Sequence, residues 1–306
     1  MIWRPYIDEI IQFLFLKLHN FITFINARDT LRQWRDDNLR CSEEVIEIWQ
    51  DVLANTINKV GDEKWLIYEQ VCLAALDCHR LDIAQECLQA LDYQFPGSLR
   101  VRKLRAMEFE ALERFDDALK LYDSILQHDE ANSVIYKRKV AVLKSQNKIP
   151  EAIKELTEYL KKFMSDHEAW MELSDLYLAE QDYNKAAFCL EELILFNPHN
   201  HLYHQRYAEI QYTIGGFENM ELARAYFAQS IKLNPRNMRS LYGFLLSASN
   251  VAASPKCSAL KKKENLKFAA WAGLKISARY EDHVCDDPQM KSVQGMLGLL
   301  TLNPAT

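Results

Sequence analysis

The sequence predicts an all-α protein built as an array of helical hairpins, and three observations carry that expectation. Only eight Gly and eight Pro occur in 306 residues, and the prolines separate long stretches rich in Ala, Leu, Glu and Lys, which favour helix. Within those stretches apolar residues recur at i, i+3, i+4 and i+7, the spacing of one helix face. The pattern then repeats every 34 residues, and a fixed period of that length marks a repeat architecture rather than one packed bundle. With 49% hydrophobic and 26% charged residues, the chain has the apolar content to build such a core.

The pattern is plainest between His167 and Asn200. Trp170, Leu173, Ser174 and Tyr177 share one face of a first helix. Ala186, Leu190 and Leu193 line a second, which ends before Pro198 because proline cannot continue it. Steps of 34 residues place Ala152, Ala118 and Ala84 at the site of Ala186, and Ala223 follows after a three-residue insertion around Gly215 and Gly216. An alanine is required where the two helices of a hairpin cross, since a larger side chain would push them apart. Leu88, Tyr122, Leu156, Leu190 and Phe227 then recur as the large residue beside it, and Trp170, Tyr177 and Phe227 are expected in the core. Pro96, Pro198 and Pro235 end three blocks, while Glu130 and Met164 stand at those places in the other two. Period and positions are those of tetratricopeptide repeats, and five are expected, at 65–98, 99–132, 133–166, 167–200 and 201–237. Such hairpins stack into a right-handed superhelical solenoid whose first helices line a concave groove.

The ends are less regular. Residues 28–64 are expected to cap the array with two helices, Thr30–Asn38 and Ser42–Val60, with Ser42 as N-cap and Gly61 as the stop. Residues 238–280 form a degenerate sixth hairpin: Leu241, Phe244, Leu245 and Ala248 on its first helix, a long loop with Pro255 and Lys261–Lys263, and a second helix near Asn265–Arg279. The tail, 281–306, contains one further expected helix near Gln289–Leu302. Residues 1–27 are a divergent apolar segment. Within it Ile10–Ile25 is interrupted by Gln12, Lys17, His19 and Asn20, which favours an amphipathic helix over a signal peptide or a span.

Little in the sequence speaks for catalysis. A net charge of −6 gives no overall attraction to phosphate backbones, so nucleic acid is not an expected partner and Lys261–Lys263 reads as a solvated loop. Seven scattered cysteines without C-x-x-C spacing read as reduced core thiols. His199, His201 and His204 straddle a repeat junction, where turn and helix-start roles outweigh a metal site, and Cys78 with His79 reads as a helix end. Phosphate-binding glycine loops, nucleophile elbows and zinc-binding helices have no match. No catalytic, cofactor or metal residues are expected. The first-helix residues off the packing stripe are instead the candidates for a protein-binding groove: Arg100, Lys103, Lys137 and Lys144, then Glu168, Asp175, Glu209 and Tyr212, with the charge changing sign along the groove. A clamp for the acidic tail of a chaperone would want Lys and Asn where Glu69 and Leu73 stand.

The wording of the repeats goes beyond the generic pattern. The segments IYEQVCLAALD, FPGSLRVRKLRAMEFEALERFDDALKLYD, DYNKAAFCLEELILFNPHNHLYHQRYAEIQYTIGG and LARAYFAQSIKLNPRN resemble subunit 2 of the endoplasmic reticulum membrane protein complex, from about Leu31 to about Tyr280. The resemblance implies a non-catalytic scaffold, without cofactor, on the cytoplasmic side of the endoplasmic reticulum membrane. Such a subunit holds the cytosolic parts of membrane-embedded subunits, docks a second soluble subunit, and reaches the membrane through these partners without forming a homo-oligomer. The complex inserts tail-anchored and multipass proteins without consuming nucleotide. The alternative is a free-standing cytosolic adaptor for a peptide or chaperone. Individual contact residues do not carry over, because the matching motifs are mainly packing positions.

Overall fold

Helix starts and stops recur along the chain with the period of the sequence, and they build the fold. A computed structural model describes residues 23–283 and, beyond these, 291, 292, 295, 296 and 298. Residues 1–22 of the apolar N-terminal segment lie outside the described residues, as does most of the helix expected near Gln289–Leu302. The chain divides into two compact units, one through Gln146 and one from Asn147.

The first unit contains α1 (residues 23–36), α2 (Ser42–Ile48), α3 (Lys64–Asp77), α4 (Leu81–Gln94), α5 (Leu99–Ala111), α6 (Phe115–Leu126) and α7 (Ser133–Ser145). The second contains α8 (Ile149–Lys162), α9 (His167–Ala179), α10 (Tyr183–Phe196), α11 (His201–Ile214), α12 (Phe217–Leu233), α13 (Met238–Ala253) and α14 (Ala259–His283). The described residues contain no strand. The core of the first unit runs from Phe24 and Leu31 through Trp49, Leu53, Ile67 and Val71 to Leu88 and Leu104. In the second, Ala187, Leu190, Leu193, Tyr207 and Ile210 form one cluster, and Phe227, Leu241, Phe244, Leu245 and Ile276 form another.

Four of the hairpins are closed by a contact between small residues. Ala84, Ala118, Ala152, Ala186 and Ala223 are fully buried. In four hairpins a second small buried residue lies on the first helix one crossing earlier: Cys72, Ala106, Ser174 and Ala208. Ser174 Oγ donates to the Ala186 carbonyl at 3.2 Å, and Cys72 Sγ approaches the Ala84 carbonyl at 3.9 Å. Carbonyl and side chain can meet at these distances only because both helices are narrow at the crossing. Phe227 is buried too, but Trp170 and Tyr177 are only half-buried at the edge of their cluster. The Trp170 ring meets Phe188 edge-on, and its Nε1 donates 2.8 Å to the Met164 carbonyl.

The turns inside the hairpins share one backbone device. His79, Glu113, Asn147, Gln181 and Gly215 follow at intervals of 34 residues, and all have positive φ, from 57° to 79°. The following N–H reaches back across the turn: Arg80 to the Ala75 carbonyl at 2.7 Å, Arg114 to Phe109 and Asp182 to Tyr177 at 2.8 Å. This pattern satisfies the last carbonyls of the first helix. Only the last of the five positions is glycine, so the others hold side chains in a conformation that disfavours them. At the far end of the hairpins, side chains of Asn132, Asp166, Asn200 and Asn237 accept backbone N–H bonds at the starts of α7, α9, α11 and α13.

Three sequence expectations change. The helix expected over Ser42–Val60 stops at Ile48, opens into a wide turn over Trp49–Leu53, and continues as short 3-10 turns at Ile57–Lys59 and Gly61–Glu63. Trp49, Leu53 and Ile57 would drift by about 80° around a straight α-helix. The wide turn absorbs that drift and brings all three into the core, at 2, 0 and 5% exposure. Ser42 is the first helical residue rather than the cap, and its hydroxyl donates to Asp77 Oδ2 at 2.7 Å. Finally, the lysine run is not in a loop. Helix α14 starts at Ala259, where Ser258 Oγ accepts from the Lys261 N–H, so Lys261–Lys263 belong to its first turns.

Two substitutions test this account by urea unfolding. Glu113→Gly should raise stability by about 0.5 kcal/mol by relieving the left-handed turn, and Gly215→Ala should lower it by about 1 kcal/mol. A Cβ added to Gly243 on α13 would run into the Phe227 ring. Gly243→Ala should therefore cost about 1 to 3 kcal/mol through overpacking.

Candidate functional site

The charged side chains of the first helices are placed by the same register as the core. Glu69 on α3 pairs with Arg100 on α5, Asp175 on α9 with Arg206 on α11 at 3.0 Å, and Glu209 on α11 with Arg239 on α13. The partners stand 30 or 31 residues apart, one repeat less a turn, so each carboxylate meets the arginine of the next first helix. Tyr212 Oη accepts a 2.6 Å bond from Asn250 Nδ2, which again joins α11 to α13. Arg100, Asp175 and Glu209 are thus met by opposite charge within their own units. Arg206, Arg239 and Asn250 were not evident from the sequence, although pairing acids with arginines at this spacing would have found the two arginines.

In the first unit the first helices border a cleft of about 510 Å³. Four arginines, Arg35, Arg40, Arg100 and Arg138, face two carboxylates, Glu69 and Asp77. Arg40 Nε donates to Asp77 at 2.7 Å, and together with Ser42 it holds the Asp77 carboxyl below its usual range. Arg32 does the same for Glu63. Behind the cleft, Arg138 donates at 2.9 Å to Glu110, which also accepts from Tyr122 Oη. Burial outweighs these bonds and pushes the Glu110 carboxyl up.

In the second unit a cleft of about 450 Å³ has Ile210, Phe227 and Leu246 as apolar lining and Arg206, Glu209 and Arg239 as charged lining, with Tyr212 among them. Of the eight candidates, Arg100 lines the first cleft, and Glu209 and Tyr212 the second. Lys103, Lys137, Lys144, Glu168 and Asp175 line neither.

The residues weighed for chemistry take structural roles. His204 Nε2 lies 2.8 Å from the Pro198 carbonyl, and His201 lies between Asn234 and Asn237, 3.0 Å from each. No group of residues that could hold a metal ion occurs among the described residues. Cys78 caps α3 and His79 makes its turn. The six described cysteines are free thiols, and Cys72, Cys87 and Cys189 are buried. Burial pushes the Cys72 and Cys189 thiols up to about 12, away from reactivity. Cys41, Cys78 and Cys257 are only half-buried, which narrows the core-thiol reading to three positions. No described helix is long and apolar enough to cross a membrane.

Residues 95–232 match the family model described as the EMC2 TPR-like repeat domain. ER membrane protein complex subunit 2-B of Xenopus laevis is 50% identical over 288 residues, 93% of this chain and 97% of that protein. The chain belongs to the ER membrane protein complex subunit 2 family. Subunit 2 of Dictyostelium discoideum is 30% identical over 85% of both chains. Among solved structures, the C-terminal part of a TPR repeat-containing protein from Cytophaga hutchinsonii superposes with a TM-score of 0.59, covering 87% of this chain and 98% of that one at 13% identity. That likeness concerns the tetratricopeptide fold alone.

The depressed carboxylates give a pH test. Because the folded-state pKa of Asp77 lies below its unfolded value, its contribution to stability is present above about pH 4 and is lost as pH falls through the folded value. Urea midpoints of the wild type and Arg40→Ala should differ at pH 7 and converge as pH falls through the depressed folded-state value of Asp77, since protonated Asp77 no longer distinguishes them.

Proposed function

We propose that the protein is a non-catalytic scaffold subunit of the endoplasmic reticulum membrane protein complex, and that its first-helix surfaces hold segments of partner subunits. The observation that carries this reading is the near full-length 50% identity to a protein named as subunit 2 of that complex. The clefts give it a physical basis. They are open, lined by charged side chains already paired in register, and backed by a helix layer whose repeats fix their geometry. In the first unit the four cleft arginines are each paired with a carboxylate of this chain, so a partner segment would meet oriented guanidinium groups.

In this role the chain stands on the cytoplasmic side, supports energy-independent insertion of tail-anchored and multipass proteins, and is held at the membrane by membrane-embedded subunits and a second soluble subunit. It acts as one copy per complex. An adaptor for chaperone tails is less well supported, because Glu69, where the clamp needs a cation, is already paired with Arg100.

The test is affinity purification of the tagged full-length protein from detergent-solubilised microsomes, with mass spectrometry of co-eluting proteins. Several endoplasmic reticulum membrane subunits in fixed ratio are the expected result. A soluble monomer, or a chaperone as sole partner, would overturn the scaffold reading.

A further inference from the structure

Helix α14 carries the lysine run, and its two faces differ sharply. Asn265, Ala269, Ala272 and Ile276 are buried. On the opposite side Leu260, Trp271 and Leu274 are 72, 41 and 73% exposed. With about 100° between successive residues, they share one outward face with Lys263, Glu264 and Lys267, Lys275 flanks it, and one edge of the Trp271 ring rests against Phe244. Over the whole of α14 six cationic residues stand against three carboxylates, Glu264, Glu281 and Asp282, in a chain whose net charge is −6. Lys261 turns inward to Glu221 at 2.8 Å. Lys263, Lys267 and Lys275 have no ion pair among the described residues.

We propose that the outer face of α14 binds an anionic membrane surface directly. A helix lying in the headgroup layer places Trp and Leu at the acyl boundary, while lysine stems run along the apolar surface and their ammonium groups reach lipid phosphates. A protein partner fits this face less well. Ammonium groups interleaved with Trp271 and Leu274 would be trapped unpaired in a dry interface, whereas a phosphate layer satisfies them all. Nucleic acid would satisfy the lysines but leave Leu260 and Leu274 without a partner. The proposal stands on this helix alone, independent of assembly into a complex, and goes beyond attachment through partner subunits.

The experiment is co-sedimentation of the purified full-length protein with vesicles of phosphatidylcholine alone, or with about a third phosphatidylserine, at low and at physiological salt. The protein should pellet with the anionic vesicles and at least about tenfold less with the neutral ones, with binding weakened by salt. Leu274→Asp should reduce binding at least about fivefold, and Lys263→Glu with Lys267→Glu more than that, since each lysine near an anionic surface contributes about fivefold. All three side chains are exposed, so circular dichroism and the melting temperature should stay unchanged. Absence of binding to anionic vesicles, or equal binding by both variants, would overturn the proposal. So would binding seen only after removal of residues 284–306, which would mean the chain covers this face itself. A dimer dissociated by Leu274→Asp, measured by light scattering, would assign the face to a second copy instead.

Discussion

The fold depends on how closely two helices approach within each hairpin. Where Ala186 faces Ser174, the backbones come near enough for the Ser174 hydroxyl to reach a main-chain carbonyl across the crossing. That approach fixes the depth at which Leu88, Tyr122, Leu190 and Phe227 enter the core, and so the position of the next first helix. A wider crossing would shift every later contact, including the charged ones.

The electrostatics follow from this register rather than standing apart from it. Carboxylate and arginine meet between successive first helices because the helices are spaced by identical hairpins, as the pairs Asp175 with Arg206 and Glu209 with Arg239 show. Exposed pairs of this kind contribute at most about 1 kcal/mol each. Their larger effect is on the surface: they orient the long side chains and leave clefts in which a partner meets ordered charge. Glu110, held between Tyr122 and Arg138, extends the same logic into the interior, where the bonds limit the cost of burying a carboxylate.

Positions governed by packing were legible in the sequence, because a small residue at a crossing recurs at a fixed period and has few substitutes. The alanines, the hairpins and the insertion at Gly215 and Gly216 could be read in this way. The left-handed turns were hidden, since His79, Glu113 and Gln181 carry no glycine to announce them. The break after Ile48 was hidden as well, because it answers a geometric mismatch among Trp49, Leu53 and Ile57 that appears only once all three must face one core. Of the candidate surface, side-chain identity was readable but pairing was not, for pairing needs the spacing between repeats. The lysine run was misplaced because Ser258, one of many serines in the chain, is the residue that starts the helix beneath it.

The insertion in the fifth hairpin has a structural use. It lengthens α12 to 17 residues, against 14 in α10, so the helix begins almost a turn earlier than its counterpart. In that added turn Phe217 lies 5.7 Å from the Lys261 ammonium; just beyond it Glu221 pairs with the same group, and Arg224 bonds to Asn265. These contacts bypass α13 and grip the first half of α14 from the preceding hairpin. An extra turn at the start of α12 thereby adds a brace to α14 from a hairpin that does not adjoin it in sequence.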